Sequence, residues 1–158
     1  MYIGYMGDVV FVVSDDYLLT PSNLQRSASS RWAQHDLILS KPVSQFTGPG
    51  LEEISFDLQL IESMGVNPSK QLQTLRRMRD TGAVFPLIIG GRPVTQNYWR
   101  IDSLSEGSNF YSASGKLIQT KVSVKLVEYD DSNYVEELSM VDQYGTAFNV
   151  ASSLLGGL

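Results

Sequence analysis

The sequence predicts a mainly β fold with one flanking α-helix, an α+β chain whose antiparallel strands close as a barrel or sandwich. Three observations carry this. ISFDLQL (Ile54–Leu60) and KVSVKLVEY (Lys121–Tyr129) alternate apolar and polar residues with period two, the mark of half-buried strands. NPSKQLQTLRRMRDTG is the one segment with helical spacing and both end signals. FPLIIGGRPVTQNYWRI (Phe85–Ile101) joins two β-like runs through a Gly-Gly pair.

In chain order, Tyr2–Tyr5 and Val9–Val13 read as strands, the second rich in β-branched residues. Asp15-Asp16 and Thr20-Pro21 mark a turn region. Ser27–Ser30 is a loop or strand edge, and Arg31–Leu39 is a further candidate strand. Gly48-Pro49-Gly50 should break the chain before Ile54–Leu60. The helix is expected over residues 68–81. Asn67 caps it, Pro68 suits its first position and Gly82 suits a left-handed stop. Leu72, Leu75 and Met78 form its apolar stripe, which would lie on a sheet. Val94–Leu104, with Trp99 and Ile101, and Lys121–Tyr129 complete about six strands. Gly107–Gly115 between them reads as a long hairpin tip. The expected division is a β domain over residues 1–131 and an extension over 132–158, docked or disordered. Within the extension, Tyr134–Met140 fits a short helix or strand.

Composition narrows the function. The 158 residues carry a net charge of −5, which opposes general nucleic-acid binding, whose affinity rests on Lys and Arg against phosphate. No apolar run approaches the roughly 20 residues that span a bilayer, so no membrane partner is expected. Met1–Val13 lacks a basic start and a cleavage-like end, so no signal peptide is expected. With no cysteine and one histidine, thiolate metal sites, disulfides and cysteine nucleophiles are removed. No metal and no cofactor are expected.

Catalytic signals are weak. Gly90-Gly91 leads into Arg92-Pro93 and a β-like segment, not the helix that a dinucleotide or phosphate loop requires, so it turns a hairpin. Gly115-Lys116 lacks the upstream Gly and the following Ser or Thr of a phosphate loop. His35 has no G-x-S-x-G elbow to serve. Asp15-Asp16, Asp130-Asp131 and Glu136-Glu137 could act as a glycosidase acid and base, but adjacent acids in turns more often cap or solvate. Trp99 reads as core. Trp32 fits a core position and a subunit contact equally, and Arg76, Arg77 and Arg79 read as an exposed helix face pairing with acids of this or a neighbouring chain.

The ordered set of segments resembles the GpU family of contractile phage tail proteins, found also in phage-tail-like bacteriocins. The resemblance rests on Asn23–Leu60, Leu72–Gly91, Trp99–Glu106 and Val122–Asp131. Its most specific parts are Leu24-Gln25-Arg26-Ser27 with Trp32, and Gln45-Phe46-Thr47-Gly48-Pro49-Gly50. Leu75-Arg76 leading to Asp80-x-Gly82 before Pro86-Leu87, and Ser103-Leu104-Ser105-Glu106, add to it. It covers roughly residues 9 to 131. It implies a tail-tube-like barrel with no catalytic residues, which assembles in the bacterial cytoplasm into a hexameric ring of the virion tail or tail-like particle. The ring would sit at the baseplate and initiate the tube, with the tail tube protein and baseplate hub proteins as partners. The alternatives are a terminator ring at the other tube end and, from another class, a cell-wall hydrolase. Expected subunit-interface residues are Leu24, Arg26, Trp32, Phe46, Arg76, Arg79, Phe110, Tyr111 and Phe148.

Overall fold

The computed structural model describes residues 1–130. The extension over 132–158, with its Tyr134–Met140 segment and Phe148, lies outside the described residues.

Alternation builds the long sheet. Ile54, Phe56, Leu58 and Leu60 of β7 (Glu53–Ile61) turn to one side and are buried, while Ser55 and Gln59 are exposed on the other. Strand β12 (Leu117–Tyr129) repeats the pattern with Val122, Val124 and Leu126, and pairs β7 in unbroken antiparallel register from Gln119↔Ile61 to Val127↔Glu53. Adding β4 (Pro21–Ser27), β11 (Tyr98–Tyr111) and β8 (Val84–Phe85) gives the order β4-β7-β12-β11-β8.

The short sheet has the order β10-β9-β1-β2-β3, from β1 (Tyr2–Met6), β2 (Val9–Val13), β3 (Leu18–Leu19), β9 (Leu87–Ile89) and β10 (Arg92–Pro93). Single residues carry the chain between the sheets: Thr20 links β3 to β4, and Pro86 links β8 to β9. These corners curl the two sheets around one core. Phe11 of the short sheet meets Phe56 of the long sheet edge to face, with ring centroids 6.3 Å apart.

Helix α1 (Pro68–Asp80) covers the core with Leu72, Leu75 and Met78, as its spacing predicts. Asn67 accepts the Lys70 amide at 3.2 Å. At the other end Gly82 has φ 66°, and Ala83 N–H reaches back to the Met78 carbonyl at 3.1 Å, a Schellman stop. Gly90 and Gly91, at φ 65° and 75°, make the two-residue turn between β9 and β10.

Two expectations need correction. Gly48-Pro49-Gly50 does not end the strand at its first residue. Strand β6 (Ser40–Pro49) runs through Gly48 and Pro49 because Arg31 and Ser30 pair with them, and the break comes at Gly50. Gly107–Gly115 is mostly strand: β11 continues to Tyr111 through irregular pairing around Ser108 (φ 54°), and the turn is confined to the residues before Lys116. The described residues hold twelve strands where about six were expected, because segments not read as strand, among them Leu18–Leu19, Pro21–Ser27 and Ser40–Pro49, pair as strands.

Candidate assembly interface

Strands β5 (Ser30–Leu37) and β6 stand apart as a two-stranded hairpin, the arm. Trp32 pairs with Phe46 across it, their rings 5.2 Å apart and both more than half exposed. A two-stranded hairpin is marginal in water by itself. The arm turns through Ile38 and Leu39, which are 93% and 102% exposed. Such turns favour Asn-Gly or Asp-Gly, yet here Leu39 sits at φ 58°. Local chemistry does not account for an Ile-Leu tip; an outside contact would.

Other candidates fall at two further places. Leu24, 42% exposed, and Arg26 lie on β4, an edge strand of the long sheet. Arg26 is held by Glu52 at 2.5 Å. Phe110 and Tyr111, 56% and 60% exposed, end β11. Arg76 and Arg79 point to carboxylates of their own chain. Arg76 makes a two-pronged contact with Glu106, and Arg79 meets Asp80 at 2.8 Å. Arg77 meets Asp8 at 3.2 Å, so the three helix arginines pair with acids of their own chain. Trp99 is fully buried.

The polar face of the long sheet is ordered around Asp57. Its carboxylate accepts from Ser123 Oγ at 2.6 Å and Asn23 Nδ2 at 2.9 Å, with Lys121 Nζ at 3.2 Å. These donors hold its pKa at about 2, against an ordinary 3.8; Ser123 contributes most. Lys125 is paired with Glu53 at 3.1 Å. The face is thus serine-rich and charge-compensated.

Among the described residues, no group of three or more His, Cys, Asp or Glu could hold a metal ion. His35 lies exposed on the arm against Gln45 at 3.1 Å, and Asp15-Asp16 form an exposed bend.

A family model described as Phage P2 GpU matches residues 7–131, which takes in the long sheet, the helix, the arm and every strand of the short sheet except β1. The chain belongs to that family. No curated protein sequence matches it. Membership in the GpU family makes it a structural protein of a phage tail, located in the virion tail and assembled with other tail proteins. The matched region ends one residue past the described fold.

Sequence reasoning missed the arm tip Leu37–Leu39 and the outer row of the short sheet described below. The tip carried a legible signal, an apolar Leu-Ile-Leu run followed by Ser-Lys-Pro, where a turn calls for Gly or Asn.

Proposed function

We propose that this GpU-family chain forms a hexameric ring at the junction of baseplate hub and tail tube, and that the ring initiates tube assembly in a contractile phage tail or tail-like bacteriocin. The ring assembles in the bacterial cytoplasm. Its neighbours are the hub and other baseplate proteins on one side and the tail tube protein on the other.

One observation supports the ring above others: the long sheet is open at both sides. Strand β4 is an edge along its seven residues. At the opposite side β8 pairs only Trp99 and Arg100, which leaves the far edge of β11 from Asp102 to Tyr111 without a strand neighbour among the described residues. Long open edges are templates for another chain, and soluble monomers blunt them. Pairing β4 of one copy with β11 of the next satisfies both, and the rotation between copies closes a ring. In that arrangement the polar face around Asp57 lines the channel and the helix faces outward.

The domain of residues 1–131 would form the ring body. Leu24, Arg26, Phe110 and Tyr111 lie on or beside the joined edges, Trp32 and Phe46 on the arm, and the extension with Phe148 would dock onto neighbours. Electron microscopy of the assembled particle tests the reading. Six copies in a ring at the hub–tube junction are expected. A ring at the opposite tube end makes it a terminator, and a single copy or no density rejects the ring.

A further inference from the structure

The short sheet has an outer face that solvent does not explain. Register places Pro93, Ile88, Tyr5 and Val10 in one cross-strand row. Their neighbours Met6, Leu87 and Val9 fill the core, so this row points away from it. Val10 is 43% exposed, Pro93 is exposed, and Tyr2, also exposed, stacks on Tyr5 at 6.4 Å. A one-sided antiparallel sheet ordinarily turns polar residues outward. Four apolar residues in a row make a contact face.

Charge points to its occupant. Sixteen charged side chains among the described residues form eight ion pairs. Apart from Lys70 on the helix and the buried, hydrogen-bonded Glu128, those without one gather at two places. Arg31, Asp36 and Lys41 lie on the arm, a net positive set; Asp15, Asp16 and Arg92 lie at the rim of the short sheet, a net negative set. The arm also carries the unburied tip Leu37, Ile38 and Leu39. The apolar tip and the apolar row therefore match in chemistry, and their surroundings are opposite in sign.

We propose that the arm of one copy lies across the outer face of the short sheet of a second copy, with Ile38 and Leu39 against Tyr5, Val10 and Ile88. This contact deepens the ring reading and rests on it. It differs from the edge-to-edge pairing of β4 and β11, and leaves that pairing free. It gives the marginal hairpin a surface to fold on, and gives the Ile-Leu tip a reason.

The cysteine-free chain allows a direct test. Full-length Leu39→Cys copies, isotopically heavy, are mixed with light Val10→Cys copies, assembled and oxidised, and disulfide-linked peptides are read by mass spectrometry. A heavy–light bridge between positions 39 and 10 is expected in the oligomer. In parallel, the double variant Ile38→Ser, Leu39→Ser should raise the midpoint concentration of assembly at least tenfold while leaving the thermal midpoint of the monomer in place. An oligomer that forms without the bridge, or a serine variant that assembles normally, overturns the contact and leaves the ring standing. A bridge from Val10→Cys to Leu154→Cys within one copy assigns the face to the chain's own extension and also overturns it. A chain that stays monomeric at every concentration overturns both contact and ring.

Discussion

Ser123 donates its hydroxyl to the carboxylate of Asp57, 2.6 Å away and directly opposite it across the β7–β12 pair. The bond ties the centres of β7 and β12 on the face away from the core. With Asn23 and Lys121 it favours the ionised carboxylate and pulls the folded-state pKa from 3.8 to about 2. A depressed carboxylate pKa contributes stability that is fully present above pH 3.8 and lost as pH falls toward 2. Because this face meets solvent, screening reduces the contribution to about 1 kcal/mol. Urea titrations from pH 5 to pH 2 should show this fraction disappearing. In Asp57→Asn the stability should be lower at pH 5 and the loss between pH 4 and 2 smaller. An identical pH profile in variant and wild type would rule the network out.

The Arg76–Glu106 contact fastens α1 to β11 through two hydrogen bonds of 2.8 and 2.5 Å. Arg76 is half exposed, so the pair contributes little for its geometry, about 0.5–1 kcal/mol. Arg76→Ala should lower the thermal midpoint by about 2–4 °C. If Arg76 serves only as this clamp, assembly of the folded protein should be unchanged at low temperature. Sedimentation of the variant decides: a weakened oligomer would give Arg76 an intersubunit role as well.

The core was legible where a single period ruled. Ile54–Leu60 and Leu72–Met78 each have one buried face, and their alternation or helical spacing says so. The corners at Thr20 and Pro86 were not legible, because a strand that changes sheet reads like two strands with a turn. The irregular pairing near Ser108 hid the length of β11, since small polar residues there look like a loop. Assembly surfaces were half legible. Trp32 and Phe46 announce themselves as large aromatics in polar surroundings, whereas the row Tyr5–Val10–Ile88–Pro93 exists only after register joins four strands.

Gly4 is required by close approach. A Cβ there would stand 2.0 Å from the Ile88 carbonyl oxygen, and backbone cannot swing away as a side chain can. Gly4→Ala should therefore cost about 3 kcal/mol and loosen β1 from β9. Gly107 lies in a strand with nothing within 4 Å of its Cβ position, and Gly107→Ala should be neutral or raise stability by about 0.5 kcal/mol. Guanidinium titrations of the two variants should differ in midpoint accordingly; equal midpoints would contradict the β1–β9 contact.

The open edges make a residue-level forecast for hydrogen exchange. In a free subunit, outward amides of β4 and of Asp102–Tyr111 have no strand partner among the described residues and should exchange fast. If copies join edge to edge, both segments should slow at least tenfold together on assembly, while β7 and β12 change little because they are already paired on both sides. Protection appearing at β4 alone would indicate a different partner on that side and a ring that closes in another way.

The family match stops at residue 131, so residues 132–158 lie outside it. Residues 143–158 contain no charged side chain and include Tyr144, Phe148, Val150, Leu154 and Leu155, a composition suited to burial against another surface. Removal of Gly145–Leu158 should leave the thermal midpoint of the β domain within about 2 °C, since the core cluster among the described residues is drawn from Met6 to Leu126. Assembly should weaken severalfold, because the apolar segment would dock onto neighbouring subunits. Calorimetry and mass photometry of the truncated chain separate these effects. An unfolded product would make the segment part of the domain itself, and unchanged assembly would leave it without a role in the ring.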